Sequence, residues 1–295
     1  MLALEGVSPS VRAGALYAAG LMAGEQGDGM GTRALLEEST ALYRGLGDVR
    51  AAAVAQTALA VACQQMGDLA VARAHLEEVL REARRLDDAD LLARGLTNLA
   101  SVAHSGGDTK EAVRLFGESR KLFGERGDLL AVAWTLDQEG DAARDGGDPV
   151  AARALYERSL AIFRELDNRG GAATALADLA RLARREGDLD AARRCTEQAL
   201  ALGEIGSDRA AARLLEEVAA LAAGDRQPQR ALVLFAATAA LRARLGLPVP
   251  ASEPQGSEQL IEEQKDALGN QASRAWSEGW RLGAAEALQL ARAPR

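Results

Sequence analysis

Gly147-Asp148-Pro149 belongs to the pattern that decides the fold of this chain. The Gly-Asp pair recurs every 40 residues, at Gly27-Asp28, Gly67-Asp68, Gly107-Asp108, Gly147-Asp148 and Gly187-Asp188. A second polar set lies halfway between these pairs, at Gly47-Asp48, Asp87-Asp88, Gly127-Asp128, Asp167-Asn168 and Ser207-Asp208. Each unit therefore has two segments of similar length separated by polar turns, which predicts a solenoid of repeated supersecondary units.

The composition predicts an all-α protein. Hydrophobic residues make up 48% of the chain and aromatic residues only 3%, while the abundant Ala, Leu, Arg and Glu are strong helix formers. With the polar turns as boundaries, the predicted helix pairs lie near residues 9–46, 49–86, 89–126, 129–166 and 169–203, followed by an irregular sixth pair near 209–245.

The recurrent aspartates are interpreted as helix caps. Pro149 follows Asp148 directly, and Asp at the N-cap followed by Pro at the first helical position satisfies or removes backbone donors that lack a partner. The glycine before each aspartate can supply the left-handed residue that ends the previous helix. The same capping role is open to Asp28, Asp68, Asp108 and Asp188. Capping explains these residues better than metal binding or catalysis does.

Small residues hold fixed places in the unit, where they let two helices approach closely. The first segment carries Gly20, Ala60, Ala100, Gly140 and Ala180. The second carries Ala72, Ala112, Ala152 and Ala192, with Thr32 in the first copy. Bulky residues four positions later are predicted to pack against the neighbouring helix, and these are Leu36, Leu76, Phe116 and Tyr156.

This arrangement resembles the tetratricopeptide repeat (TPR) family over roughly residues 9–245. That family has a small residue in the first helix, an Ala early in the second and a bulky residue one turn later. The sequence departs from it in carrying Gln56, Leu96 and Ala103 where Trp and Tyr are usual, and in its 40-residue period against the usual 34. The resemblance implies a right-handed, superhelical TPR-like solenoid of antiparallel helix pairs, whose first helices line a concave binding surface.

A different element follows the repeats. The segment 246–254 contains three prolines, which do not fit within one helix. We therefore predict a repeat array over 1–245, a linker over 246–254 and a helical cap over 255–295. Helices are expected at 258–268, 272–281 and 284–291, with Trp276 and Trp280 covering the apolar end of the solenoid.

The tail is also similar to the end of many large bacterial regulators. The similarity rests on Leu234-Phe235-Ala236-Ala237, Leu245-Gly246, Ala275-Trp276 and Glu278-Gly279. In those proteins a signalling ATPase module, often with a LuxR-type DNA-binding domain, accompanies a helical repeat sensor. The resemblance implies a detached sensor region or a stand-alone relative. The chain lacks the phosphate-binding loop of the ATPase, because Ser105-Gly106-Gly107-Asp108-Thr109 has no Lys.

Charge and cysteine content exclude several classes of function. A net charge of −8 and scattered basic residues argue against direct binding of nucleic acid. Cys63 and Cys195 imply no disulfide framework and fit a reducing cytoplasm. The longest apolar run, 231–241, is too short to span a bilayer, and no secretory signal is visible. We predict a cytoplasmic protein without a membrane partner.

The sequence predicts no enzyme, metal or cofactor. His75 and His104 lie in different repeats, and neither has a Cys or His at ligand spacing. Asp87, Asp88 and Asp90 lack the Gly and distal Glu of a calcium loop. Adjacent glutamates such as Glu216-Glu217 diverge around a helix, unlike two catalytic carboxylates facing a substrate.

Binding is the function that the repeats favour. Transferring the TPR pattern onto this register predicts a groove containing Tyr17, Thr57, Gln64, Thr97, Ser101, His104, Trp134, Asp137, Asp141, Arg181 and Arg185. Such a groove suits a peptide or protein segment with both signs of charge, with Trp134 as an anchor.

Three hypotheses follow from this sequence. In the first, the chain is a regulatory sensor of a peptide, protein or small effector. In the second, it is a constitutive scaffold that joins partners or self-associates. The third, a small-molecule enzyme, requires convergent titratable residues that the sequence does not show. The oligomeric state and the identity of the partner stay open.

Overall fold

The described part of the chain is helical throughout. The computed structural model describes residues 8–203, 205–245 and 254–293, and these contain no β-strand. The repeat helices are α1 (Pro9–Glu25), α2 (Gly29–Gly45), α3 (Val49–Gln65), α4 (Leu69–Arg85), α5 (Ala89–Ser105), α6 (Thr109–Glu125), α7 (Leu129–Asp145), α8 (Pro149–Glu165), α9 (Arg169–Arg185), α10 (Leu189–Ala201), α11 (Asp208–Gly224) and α12 (Pro228–Arg244). The tail contains α13 (Pro254–Leu268), a 3₁₀ turn (Gly269–Gln271), α14 (Ala272–Arg281) and α15 (Ala284–Arg292). The all-α solenoid predicted from the repeats is confirmed.

The repeat helices are uniform in length. Each has 17 residues except α10, which has 13, and 17 residues span about 25 Å at 1.5 Å per residue. The sixth pair, α11 and α12, is as regular as the others, so the prediction of an irregular pair was wrong. The departure lies before that pair, in the short α10 and the connection that follows it.

The chemistry of the turns explains this regularity. Gly147 has φ of 84°, and the Asp148 carboxylate accepts a hydrogen bond of 2.9 Å from the backbone N–H of Ala151. Asp87 precedes Asp88 as Gly147 precedes Asp148, and it has a positive φ of 53° although it is not a glycine. Asp68 is the exception among the predicted caps, because its side chain accepts no capping bond. The side chains that do cap in this way include Asp28, Asp48, Asp88, Asp108, Asp128, Asp148, Asn168, Asp188 and Ser207.

The chain forms two compact units, Met1–Ala142 and Ala143–Arg295. In the first unit the core lies where the small and bulky sites predicted it. Leu36, Leu76 and Phe116 are buried, together with Ala60, Ala72, Ala100 and Ala112. Consecutive helices α1 to α6 pack pairwise, and the first helices of successive pairs, α1, α3 and α5, also touch one another. This second set of contacts gives the unit a continuous face made of first helices.

In the second unit, α9 pairs with α10 and α11 pairs with α12. The tail helix α14 packs mainly against α12. The predicted linker 246–254 lies outside the described residues, apart from Pro254 at the start of α13. The three predicted tail helices correspond to α13, α14 and α15.

Two arginines fasten α15 to the repeats. Nη2 of Arg230, in α12, donates hydrogen bonds of 2.9 Å to the carbonyl oxygens of Ala291 and Ala293 at the end of α15. From α15 itself, Nη2 of Arg292 donates to the carbonyl oxygen of Gly203 at 3.0 Å and Nε donates to that of Leu200 at 3.2 Å. Cations at the carboxyl ends of helices offset the partial negative charge there. These bonds hold α15 against the last repeats.

The two tail tryptophans have different environments. Trp276 packs against a cluster that contains Leu232, Val233 and Ala275. Trp280 stacks on Trp276 with ring centroids 6.3 Å apart, yet 46% of its surface is exposed. Trp276 therefore packs against α12, whereas nearly half of the Trp280 surface is exposed.

Candidate functional site

A half-buried polar face runs along the first helices of the first unit. It carries seven of the predicted groove residues, each of intermediate exposure: Tyr17, Thr57, Gln64, Thr97, Ser101, His104 and Trp134. We call this set the first-helix face. The 40-residue period places these side chains on one side of α1, α3, α5 and α7, because equivalent positions of successive units share an orientation.

Hydrogen bonds between successive first helices organise this face. Gln64, in α3, donates from Nε2 to Oγ of Ser105, in α5, at 2.9 Å. Ser101, in α5, donates from Oγ to Oε1 of Gln138, in α7, at 3.2 Å. These contacts hold neutral donors and acceptors at the surface in a fixed arrangement.

A cleft of about 300 Å³ opens beside Trp134 between α5 and α7. We call it the α5–α7 cleft. Its polar wall on α5 is held internally, since Arg94 Nε donates to Asp90 Oδ2 at 3.0 Å and the Thr97 hydroxyl lies 2.7 Å from Ser119 Oγ. The lining residues are Arg94, Thr97, Asn98, Phe123, Asp128, Leu130, Ala131, Trp134, Thr135 and Gln138. An indole beside fixed polar groups is suited to a side chain that is partly apolar and partly polar.

Sequence reasoning found Thr97 and Trp134 in this cleft but missed Arg94, Asn98 and Gln138. A usable signal was present, because residues three or four apart share one face of a helix. Arg94 precedes Thr97 by three positions, and Gln138 follows Trp134 by four. Adding the residues that lie one helical turn from Thr97 and from Trp134 would therefore have included Arg94 and Gln138 in the predicted groove.

Three predicted groove residues are not presented to solvent. Asp137, Asp141 and Arg181 are only 3%, 7% and 4% exposed. Nε of Arg181 donates to Oε1 of Glu217 at 3.2 Å, so this guanidinium serves an internal ion pair. Arg185, the remaining predicted residue, is exposed on α9.

The first helices of the second unit are joined by buried charges instead of neutral groups. Glu217, in α11, also accepts a hydrogen bond of 2.7 Å from Nε of Arg184. Nη1 of Arg213 donates to Oδ2 of Asp178 at 2.9 Å. The Glu217 and Asp178 side chains are buried, and burying a charge is favourable only when it is paired. These carboxylates therefore have a structural role.

The titratable side chains of the described residues form no cluster of three or more His, Cys, Asp or Glu that could hold a metal ion. Burial raises the thiol pKa of both Cys63 and Cys195, which keeps them protonated and weakly nucleophilic. Desolvation lowers the pKa of His75, whose Nδ1 lies 3.2 Å from Nε2 of Gln56.

Comparison with known proteins identifies the repeat. A profile described as Tetratricopeptide repeat matches residues 52–125, 89–165 and 129–205, which together cover more than half of the chain. The chain belongs to the tetratricopeptide repeat family. No curated protein sequence matches it. None of the TPR helices, nor any other helix in the described ranges, is long and apolar enough to cross a membrane.

Solved structures share this TPR fold at low identity. A Rap protein crystallised with Competence and Sporulation Factor has a TM-score of 0.69 at 12% identity, covering 98% of this chain and 79% of its own. The Rap conjugation gene regulator of plasmid pLS20, in complex with the Phr* peptide, has a TM-score of 0.56 at 17% identity, covering 90% and 67%. BtubC from P. vanneervenii has a TM-score of 0.57 at 21% identity, covering 81% and 94%. At these identities the likeness shows the fold alone.

Proposed function

We propose that this protein is a non-catalytic interaction module that binds a peptide or an extended segment of another protein. The observation that carries the proposal is the α5–α7 cleft, where Trp134 lies within a face of fixed hydrogen-bonding groups. Tryptophan is among the residues that most often dominate the binding energy of an interface. The cleft of about 300 Å³ has room for a side chain rather than for a folded domain.

The chemistry of the first-helix face suits an extended chain. A peptide backbone presents one N–H donor and one carbonyl acceptor per residue. Gln64, Ser101 and Gln138 carry both kinds of group and lie in fixed positions on successive helices. A peptide would therefore place an apolar side chain beside Trp134 while its backbone makes hydrogen bonds to the neighbouring amides and hydroxyls.

The proposed binding residues are those of the predicted groove that remain accessible. They are Tyr17, Thr57, Gln64, Thr97, Ser101, His104 and Trp134, and we add Arg94, Asn98 and Gln138 because they line the cleft. Arg185, also predicted, is exposed on α9 in the second unit. Asp137, Asp141 and Arg181 are proposed to support the helices rather than to touch the partner.

A regulatory role is the finer part of the proposal. Its support is the likeness to a Rap protein seen with Competence and Sporulation Factor and to a conjugation gene regulator seen with the Phr* peptide. The resemblance of the tail to bacterial ATPase and LuxR-type regulators points in the same direction. We infer a cytoplasmic bacterial sensor whose occupancy changes its contacts with an effector domain.

A constitutive scaffold is the second candidate, and exposed apolar residues at the start of the repeats favour it. Val11, Met22 and Met30 are 60%, 61% and 75% exposed. Exposed apolar side chains can contribute to a contact with another protein. A second chain bound there would bury these residues, so concentration-dependent self-association that is lost in the triple variant Val11→Ser, Met22→Ser, Met30→Ser would favour the scaffold.

Selection of peptides from a random display library, followed by titration calorimetry, tests the peptide proposal. The selected peptide should bind Trp134→Ala roughly 30-fold more weakly than wild type, as expected for a hot-spot loss of about 2 kcal/mol. Gln138→Ala should show a smaller loss. Trp280→Ala is the control, because this tryptophan is also accessible to solvent yet lies in the tail.

Equal affinity of the wild type and Trp134→Ala for every selected peptide would show that the cleft is not the site. Selection of no peptide by the wild-type protein would remove the peptide-binding function. Circular dichroism of each variant distinguishes a lost contact from a lost fold.

A further inference from the structure

The second unit contains a cavity of about 420 Å³, which we call the α15 pocket. Its walls come from α10, α11, the start of α12 and the end of α15. Pockets for small molecules typically enclose about 300 to 1,000 Å³. The α15 pocket therefore has room for a small organic molecule.

The pocket is preformed, because hydrogen bonds already hold α15, which supplies one of its walls, against the repeats. Arg230 donates to carbonyl oxygens at the carboxyl end of α15, and Arg292 donates to the carbonyl oxygens of Leu200 and Gly203 at the end of α10. Both guanidiniums offset the partial negative charge of the helix ends that they contact. Because this partial negative charge is offset, the helix ends do not draw cations strongly into the pocket.

One side of the pocket is apolar. Leu200, Val218, Leu221, Ala222 and Ala291 line it, and the three from α11 are almost completely buried. Water in contact with such a wall has few hydrogen-bond partners, so an apolar group that replaces it is favoured. This side fits the hydrocarbon body of a ligand.

The other side of the pocket carries hydrogen-bond donors. Arg193 donates from Nη2 to Oδ1 of Asp225 at 2.5 Å and from Nη1 to Oδ1 of Asp190 at 3.3 Å. Its side chain is 27% exposed, and a guanidinium has five N–H groups, so donors remain for an acceptor atom of a ligand. Gln227 lines the same side and makes no capping bond with its side chain.

The lining carries more cationic than anionic groups. Arg193, Arg230 and Arg292 contribute three positive charges, and Glu197 and Asp225 contribute two negative charges. Asp190, outside the lining, also pairs with Arg193 at 3.3 Å. Three guanidinium groups at one cavity present several N–H donors, which suit the oxygens of an anion better than a cation of the same shape.

We propose that the α15 pocket binds a small organic anion, specifically a monocarboxylate with an apolar body. The carboxylate accepts hydrogen bonds from Arg193 and Gln227, and the body packs against Leu221 and Ala222. Because the end of α15 forms one wall, an occupied pocket also strengthens the attachment of that helix. The site is independent of the proposed peptide-binding cleft.

Titration calorimetry with octanoate tests the pocket, with octanol and octylamine as probes of the same length. Octanoate should bind saturably and at least tenfold more tightly than either of the others. Arg193→Gln should weaken octanoate at least tenfold and leave octanol unchanged. Ala222→Leu fills the apolar side and should abolish binding, whereas Ala223→Leu is the control, because Ala223 does not line the pocket.

The proposal is overturned if octanoate does not saturate the wild-type protein, or if octylamine binds as well as octanoate. Undiminished binding of octanoate to Ala222→Leu would place the probe elsewhere and would also overturn it. Thermal unfolding verifies that each variant folds. If Ala222→Leu fails that test, Val218→Phe fills the same side of the cavity and decides the question.

Discussion

A Cβ atom placed on Gly279 would lie 2.0 Å from the carbonyl oxygen of Val233. The backbone of α14 therefore packs directly on that of α12, with no room for any side chain. The same Cβ would lie 2.8 Å from the Cβ of Ala236, so α14 could accept a side chain here only by moving away. This contact fixes the distance between α14 and α12, the last helix of the repeats.

Gly279→Ala should therefore destabilise the second unit by about 1–3 kcal/mol, the usual cost of overpacking a well-packed contact. Denaturant unfolding followed by tryptophan fluorescence measures the change, because Trp276 and Trp280 lie in the same helix. Gly224→Ala is the control, since a Cβ there meets nothing within 4 Å. The close contact between α12 and α14 would be disproved if both variants were as stable as wild type.

The capping aspartates differ in a way that substitution can measure. Asp108 accepts a hydrogen bond of 3.1 Å from the Glu111 N–H, whereas Asp68 makes no capping bond and instead contacts Arg33 Nη1 at 3.2 Å on the surface. Asp108→Ala should cost about 1 kcal/mol, and Asp68→Ala only a few tenths. Urea unfolding of the two variants provides the comparison, and equal losses would contradict the difference between these caps.

Glu217→Gln should be among the most damaging single substitutions in the chain. It removes the negative charge shared by Arg181 and Arg184 while Arg181 stays buried. Loss of one partner of a buried pair typically costs about 3–5 kcal/mol. Glu82→Gln is the control, because Glu82 pairs with Arg85 on the surface and such pairs contribute about 0–1 kcal/mol. If calorimetry shows equal shifts in the melting temperature of both variants, the Glu217 carboxylate is not needed to neutralise the charge of the buried arginines.

His75 should make stability depend on pH below neutrality. Its pKa in the folded protein is lowered from the ordinary value of 6.5, chiefly by desolvation, while Glu78 opposes and Arg44 adds to the shift. The unfolded chain therefore binds the proton more readily, and the free energy of unfolding falls as pH drops below about 6.5. As pH falls from about 7.5 to about 5.5, the free energy of unfolding of His75→Gln should decrease less than that of the wild type. An NMR titration midpoint of His75 above 6.5 would reverse the sign and refute this prediction.

Local chemistry made the helices predictable, while packing decided which side chains stay accessible. Asp148 followed by Pro149 marks a helix start in any context, so the boundary there could be found from sequence. The partner of Arg181 lies 36 residues further on, and their contact depends on how α9 packs against α11. The burial of Asp137 likewise cannot be found from its place in the period. The place of Trp134 on the first-helix face could be predicted, because the repeat register fixes it, whereas the α15 pocket could not be, because α15 folds back onto earlier helices.

The two arginines that hold α15 also bear on the order in which the chain folds. Within the repeats, packed neighbours are separated by roughly 20 to 40 residues, so contacts between them form after short searches. Arg292 reaches back 92 residues to Leu200, and the entropy lost in closing a loop grows with its length. We therefore expect α15 to dock after the repeats have formed and to detach before they unfold, so its amide protons should exchange with solvent faster than those of α12.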